Sequence, residues 1–230
     1  GLVFAISYLT LREAILSMPA GTGPLVRSAV AAVAMTVWTF LILGIWLLVR
    51  EPDMGGCERD MARLAIHIDR TRFTPHVGCF RPEGMQRRAI EAAGVPVVRF
   101  DVPSFKSWAA VRAAGALREY VRRHGIAVAH PFDVPTDIWT VPAARWAGVP
   151  AIVSSQLSYR SLDFYPPAHL RALRFGDRWA DHWMVNSRAV RDHLIADEGL
   201  PADRITVHYN GVDTAQFYPP AERETAGPPV

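Results

Sequence analysis

The chain has 230 residues, half of them hydrophobic and a fifth charged, which is enough apolar material for a substantial core and excludes a largely disordered protein. Its net charge of +3 arises from 25 Lys plus Arg, Lys106 being the sole lysine, spread among the acids rather than gathered in a block, so the chain is not expected to bind nucleic acid. Cys57 and Cys79 form no CxxC and have no histidine at ligand spacing, and Asn186 and Asn210 lie in no glycosylation sequon. An intracellular protein with reduced thiols and no metal site is the expectation.

Residues 1–27 carry an apolar patch and a Gly/Pro turn and read as an N-terminal extension. Ser28 to Val49 contains no charge. About 20 such residues suffice to cross a bilayer as a helix, so a membrane span is one reading. The other is that its second half, Leu43 to Val49, is the first strand of a sheet, because a strand buried on both faces is also a continuous apolar run. The two readings exclude each other for the same residues.

From there to about residue 213 the pattern alternates. After Gly56, the apolar residues Met61, Leu64, Ala65 and Ile68 recur at helical spacing. "HVGCF" reads as a strand, "GMQRRAIEAAG" as a helix stopped by Gly94, and "VPVVRFDV" as a strand. Ser104 is placed to cap a long helix through Arg123 with Gly125 beyond its end. "IAVAH", a helix over Asp137 to Trp146, and "AIVSS" follow. The aromatic loop "YRSLDFYPP" leads into a helix near Pro167, then the strand "HWMVNS", a helix capped by Ser187, and a last strand "RITVHYNG". Strand and helix in strict alternation demand a parallel sheet with helices on both faces, an α/β, Rossmann-like, doubly wound domain. Residues 214–230 are rich in proline and read as a linker to a further domain.

In such sheets ligands bind where the strands' carboxyl ends meet the following helices. The residues to weigh are therefore Gly55 and Gly56, His130, Asn186 with Ser187, and Asn210, Gly211 and Asp213. Paired glycines let backbone approach a ligand, and the N–H groups of a helix start favour an anion such as a diphosphate; a plain tight turn explains them too. His130 offers a hydrogen bond to a sugar hydroxyl or phosphate, or a proton relay near neutral pH, against a structural role in the core. Ser187 is explained as a helix cap, Asn210–Gly211 as a turn. Tyr159, Phe164 and Tyr165 either stack on a sugar or lipid or pack within their loop.

The blocks "GGCERDMARLAIHID", "GVPVVRF", "WAGVPAIVSS" and "ADHWMVNSRAVRDHLIADEGLPADRITVHYNGVDTAQFYP" together resemble the N-terminal, acceptor-side domain of GT-B glycosyltransferases of family 4, from about Gly55 to Pro219. The resemblance implies retaining transfer of a hexose from a UDP- or GDP-linked sugar to a hydroxyl of a glycan or lipid-linked acceptor, with no cofactor. Gly55 and Gly56 then approach the donor diphosphate as substrate- and donor-binding residues, together with Asn186, Ser187, Asn210, Gly211 and Asp213. His130 becomes the catalytic residue beside the transferred sugar. It also implies a C-terminal nucleotide-binding domain after Val230, and a cytoplasmic enzyme, anchored or peripheral at the membrane. A nucleotide-sugar epimerase of the same fold and a non-catalytic membrane-anchored scaffold are the rivals.

Overall fold

A computed structural model describes residues 43–50 and 55–211. Seven strands form one sheet: β1 (Leu43–Val49), β2 (Phe73–Cys79), β3 (Val97–Arg99), β4 (Ile126–Pro131), β5 (Ala151–Gln156), β6 (His182–Val185) and β7 (Ile205–Val207). Six helices connect them: α1 (Gly56–His67), α2 (Gln86–Ala92), α3 (Trp108–His124), α4 (Val134–Ala147), α5 (Pro167–Gly176) and α6 (Arg188–Ala196). All pairs are parallel, in the order β3-β2-β1-β4-β5-β6-β7. The chain moves outward from β1 to β3, crosses back, and continues from β4 to β7, so the winding reverses between β1 and β4. A doubly wound α/β domain is confirmed.

The choice left open for Leu43 to Val49 is settled in favour of the strand. Lying between β2 and β4, β1 buries side chains on both faces and divides them between two cores. Trp46 and Leu48 join Phe100, Leu117, Trp139, Ile152 and Trp183 under α3, α4 and α6. Ile45, Leu47 and Val49 join Met61, Ala65, Val77, Val128 and Val153 under α1. Each such aliphatic side chain contributes about 1.5–3 kcal/mol when removed from water, which is why the run needs no polar alternation. The membrane-span reading therefore fails for these residues, and no helix among the described residues is long and apolar enough to cross a bilayer. Residues 28–42, the rest of that segment, lie outside the described residues, as does the linker, 214–230.

Three boundaries differ from expectation. Ser107, not Ser104, caps α3, its Oγ accepting from Ala110 N at 3.2 Å, while Ser104 is used in the preceding turn, its carbonyl accepting from Ser107 Oγ at 2.7 Å. α4 starts at Val134 rather than near Asp137, because Asp133 and Thr136 form a reciprocal capping box and Pro135 sits in the first turn, where its missing N–H costs nothing. β3 keeps only three residues of its apolar run.

Candidate functional site

The winding reversal opens a crevice outside the ends of β1 and β4, the position at which open α/β sheets take ligands. Both strand ends are fastened there. Phe132 N donates to Leu48 O at 2.9 Å, and Arg50 N donates to the Asp133 carboxylate at 2.7 Å. Gly55 is the N-cap of α1 and supplies no side-chain cap, so the first N–H groups of α1 face the crevice without a side-chain acceptor on the cap residue. The two glycines differ in their reasons. A β-carbon on Gly55 would run into the Glu58 carboxylate, whereas one on Gly56 would meet no atom within 4 Å. Nothing among the described residues therefore requires glycine at position 56, where the residue is exposed and helical.

The field at this end is not simply positive. Glu58, in the first turn of α1, brings a carboxylate whose Oε2 is buried with no partner among the described residues. Burial raises the Asp133 carboxyl, against the hydrogen bonds it accepts from Arg50 N and Thr136. Cys57 records the result: burial, then Glu58 and Asp133, push its thiol up to about 11, so it remains protonated and unreactive at neutral pH. Glu58 thus already occupies part of the helix dipole, a constraint on any anion arriving there.

His130 stands at the end of β4, 1% exposed. Its Nε2 pairs with Ser155 Oγ at 2.8 Å, its ring stacks on Phe132 at a 4.2 Å centroid distance, and Nδ1 has no partner among the described residues. Burial pushes its pKa down to about 3. The expectation of a proton relay near neutral pH is corrected: desolvation disfavours the imidazolium, and His130 is a neutral group able to donate or accept one hydrogen bond through Nδ1.

The remaining sequence candidates lie farther along the same edge. Asn186, Ser187 and Asn210 line a cavity of about 490 Å³ with Leu157, Ser158, Tyr159, Phe164 and Val190. Asn186 Nδ2 donates to Leu157 O at 3.2 Å, and Ser187 Oγ accepts from Val190 N at 3.2 Å as the cap of α6. Gly211 O accepts from Arg63 Nη1 at 2.8 Å, which ties the segment after β7 to α1, the helix that starts at the glycine pair. Asp213 lies outside the described residues. The fold thus gathers Gly55, Gly56 and His130 at one part of the edge and Asn186, Ser187 and Asn210 at another, with Gly211 joined to α1.

Behind the cavity is a buried polar network that sequence reading missed. The Arg160 guanidinium, 1% exposed, grips Asp177 with two bonds of 2.6 and 2.9 Å, reaches Glu198 at 3.5 Å, and donates to Gln156 Oε1 at 3.2 Å. Gln156 Nε2 and Ser154 Oγ both donate to Asp137 Oδ2, at 2.5 and 2.8 Å. Burial pushes the Asp137 carboxyl well above the usual range. Arg160 N donates to His193 Nε2 at 3.2 Å, and His193 Nδ1 pairs with Asp197 at 2.6 Å. No local spacing announces such a set; only burial of so many polar groups in one place does. Among the described residues no group of three or more His, Cys, Asp or Glu is placed to hold a metal ion.

Comparisons with known proteins accord with this geometry. No curated protein matches the chain. Solved structures share its fold at low identity. HepE from Anabaena, crystallised with UDP and glucose, superposes with a TM-score of 0.60 at 22% identity, covering 74% of this chain and 45% of that one. The lipopolysaccharide outer core galactosyltransferase WaaB gives 0.56 at 16%, covering 79% and 50%. A UDP-N-acetylglucosamine 2-epimerase gives 0.55 at 15%, covering 73% and 48%. The chain thus spans about half the length of these proteins. The model of Glycosyltransferase Family 4 matches residues 54–216, and the chain belongs to that family as a GT-B glycosyltransferase domain.

Proposed function

We propose that this domain is the acceptor-side half of a retaining glycosyltransferase that moves a hexose from a UDP-linked donor to a hydroxyl of a glycan or glycolipid precursor at the cytoplasmic side of a membrane. The observation that carries the reading is Gly56: an exposed glycine in the first turn of an uncapped helix, with open space above it, at the winding reversal and on the same crevice as His130. Glycine without an internal reason marks a place where something outside the fold comes close. The complexes of HepE with UDP-glucose favour uridine as the nucleotide.

The chemistry follows from charge. When the bond between the sugar's anomeric carbon and the diphosphate oxygen breaks, negative charge grows on the leaving oxygen and positive charge on the ring. Fixed N–H dipoles at the start of α1 stabilise the oxygen at no cost in reorganisation. His130, neutral and rigidly stacked, holds a sugar hydroxyl by Nδ1 without adding charge. Glu58 Oε2, buried and unpaired, is an acceptor for a hydroxyl of the incoming acceptor. No metal or cofactor enters this account.

The complete protein, incubated with UDP-[14C]glucose and membranes or glycan fractions, should yield a glycoside with the donor's anomeric configuration. A labelled UDP-sugar of inverted ring stereochemistry would instead support an epimerase, the second reading, which the fold of the 2-epimerase relatives favours.

A further inference from the structure

The cavity at the ends of β5 and β6 has a lining of a different kind from the crevice at Gly56. Its side chains are all neutral: amides from Asn186 and Asn210, hydroxyls from Ser158, Ser187 and Tyr159, and the rings of Tyr159 and Phe164. A phosphate brought here would lose hydration and find no cation among them, which is strongly unfavourable. A ligand rich in hydroxyl groups, with apolar faces between them, finds what it needs.

Tyr159, Phe164 and Tyr165 were each expected to pack in their loop or to stack on a ligand. Tyr165 does pack, against the cluster of Val134, Ile138 and Leu173. Tyr159 and Phe164 remain 45% and 69% exposed. Large rings left in water beside a concave polar surface mark a binding site rather than a core. The wall is also stiff. Tyr159 sits edge-on to His193 at 4.9 Å, its neighbour Arg160 is locked into the buried network, and Asn186 holds the carbonyl of Leu157. Asn186 uses one amide N–H on that bond, which fixes the side chain and leaves its other N–H and its carbonyl oxygen on offer. A volume of about 490 Å³ lies within the range of small-molecule sites and exceeds a single monosaccharide.

We infer that this cavity binds a neutral pyranose ring, stacked on Phe164 and Tyr159 and hydrogen-bonded by Asn186 and Asn210, as a subsite for the acceptor glycan. That it serves the acceptor rests on the transfer reading above; that it binds a neutral sugar does not.

Saturation-transfer NMR of the chain with a panel of methyl α- and β-hexopyranosides tests the site without any donor. Ring protons of at least one glycoside should receive saturation, and the signal should fall about fivefold or more in Phe164→Ala and in Tyr159→Ala. It should persist in Trp108→Ala, which removes an exposed ring at the start of α3, outside this cavity. Both truncated side chains are outside the cores, and retained circular dichroism checks that the variants fold. No saturation of any glycoside in the panel, or a signal untouched by both variants, overturns the inference. Its failure is distinct from that of the transfer reading: glycoside binding without UDP-glucose binding or turnover in the complete protein leaves this site standing and removes its acceptor role.

Discussion

The two parts of the edge at the strands' carboxyl ends differ in how densely their polar groups are paired. At the crevice between β1 and β4, two buried polar atoms have no partner among the described residues: His130 Nδ1 and Glu58 Oε2. At the far part, between β5 and β6, Arg160 joins Asp177, Glu198 and Gln156, and Arg174 grips Glu198 with two further bonds of 2.7 and 2.8 Å. Among the described residues, Asp137 Oδ1 and Thr140 Oγ1 on α4 and Trp183 Nε1 on β6 are unpaired there. Native folds rarely leave buried polar atoms orphaned, so unpaired atoms on a cleft mark where a ligand completes the hydrogen bonding, whereas a saturated network fixes shape. Under the proposed function, the crevice would hold the reacting groups and the far part a rigid recognition surface.

The largest effect should come from breaking the saturated side. Arg160→Met leaves the Asp177 carboxylate without its two-bond guanidinium partner, while Glu198 keeps Arg174, and should cost about 3 kcal/mol in urea denaturation. The same substitution should weaken glycoside binding, because the loop bearing Tyr159 and Phe164 loses its anchor.

Acid separates the two regions next. His130 has its pKa depressed to about 3, so native protein refuses a proton that the unfolded chain accepts below 6.5. Stability present above pH 6.5 is therefore lost as pH falls toward 3, by up to about 1.4 kcal/mol per pH unit for this group. His76, depressed to about 4 by burial and then by His124, acts in the same direction. Asp137 has the opposite sign. Its raised carboxyl holds a proton that the unfolded chain releases above 3.8, so its contribution is lost as pH rises. In thermal melts between pH 4 and 6.5, His130→Gln should make the acid loss shallower, and Asp137→Asn should make it steeper.

The smallest effect belongs to Ser187. As the cap of α6 its replacement by alanine should lower stability by about 1 kcal/mol, and a chemical-denaturation curve should register that alone. A loss of glycoside binding well beyond this would move Ser187 from scaffold to ligand contact.

Much of this arrangement was legible in the residues. The alternation of apolar runs and amphipathic helices specified a parallel sheet, and glycine and serine punctuation placed most boundaries within a few residues. β1 was ambiguous because burial on both faces erases the alternation that separates a strand from a membrane helix. Ser104 and Ser107 are both competent caps, and only the turn that consumes one of them decides. The glycine pair and His130 could be placed at strand ends from sequence. The neutrality of His130 and the Arg160 network could not, because they depend on partners distant in sequence that only the packed sheet brings together.

The proposed function requires a ligand to approach the backbone at Gly56. The direct test is titration of the complete protein with UDP-glucose, comparing wild type with Gly56→Val. The fold leaves room for the valine, so the thermal midpoint should hardly change apart from the modest helix-propensity difference. Donor affinity or transfer rate should fall by about tenfold or more, as expected for a side chain that displaces backbone from a ligand. An equally stable variant that binds and transfers as wild type would contradict the claim.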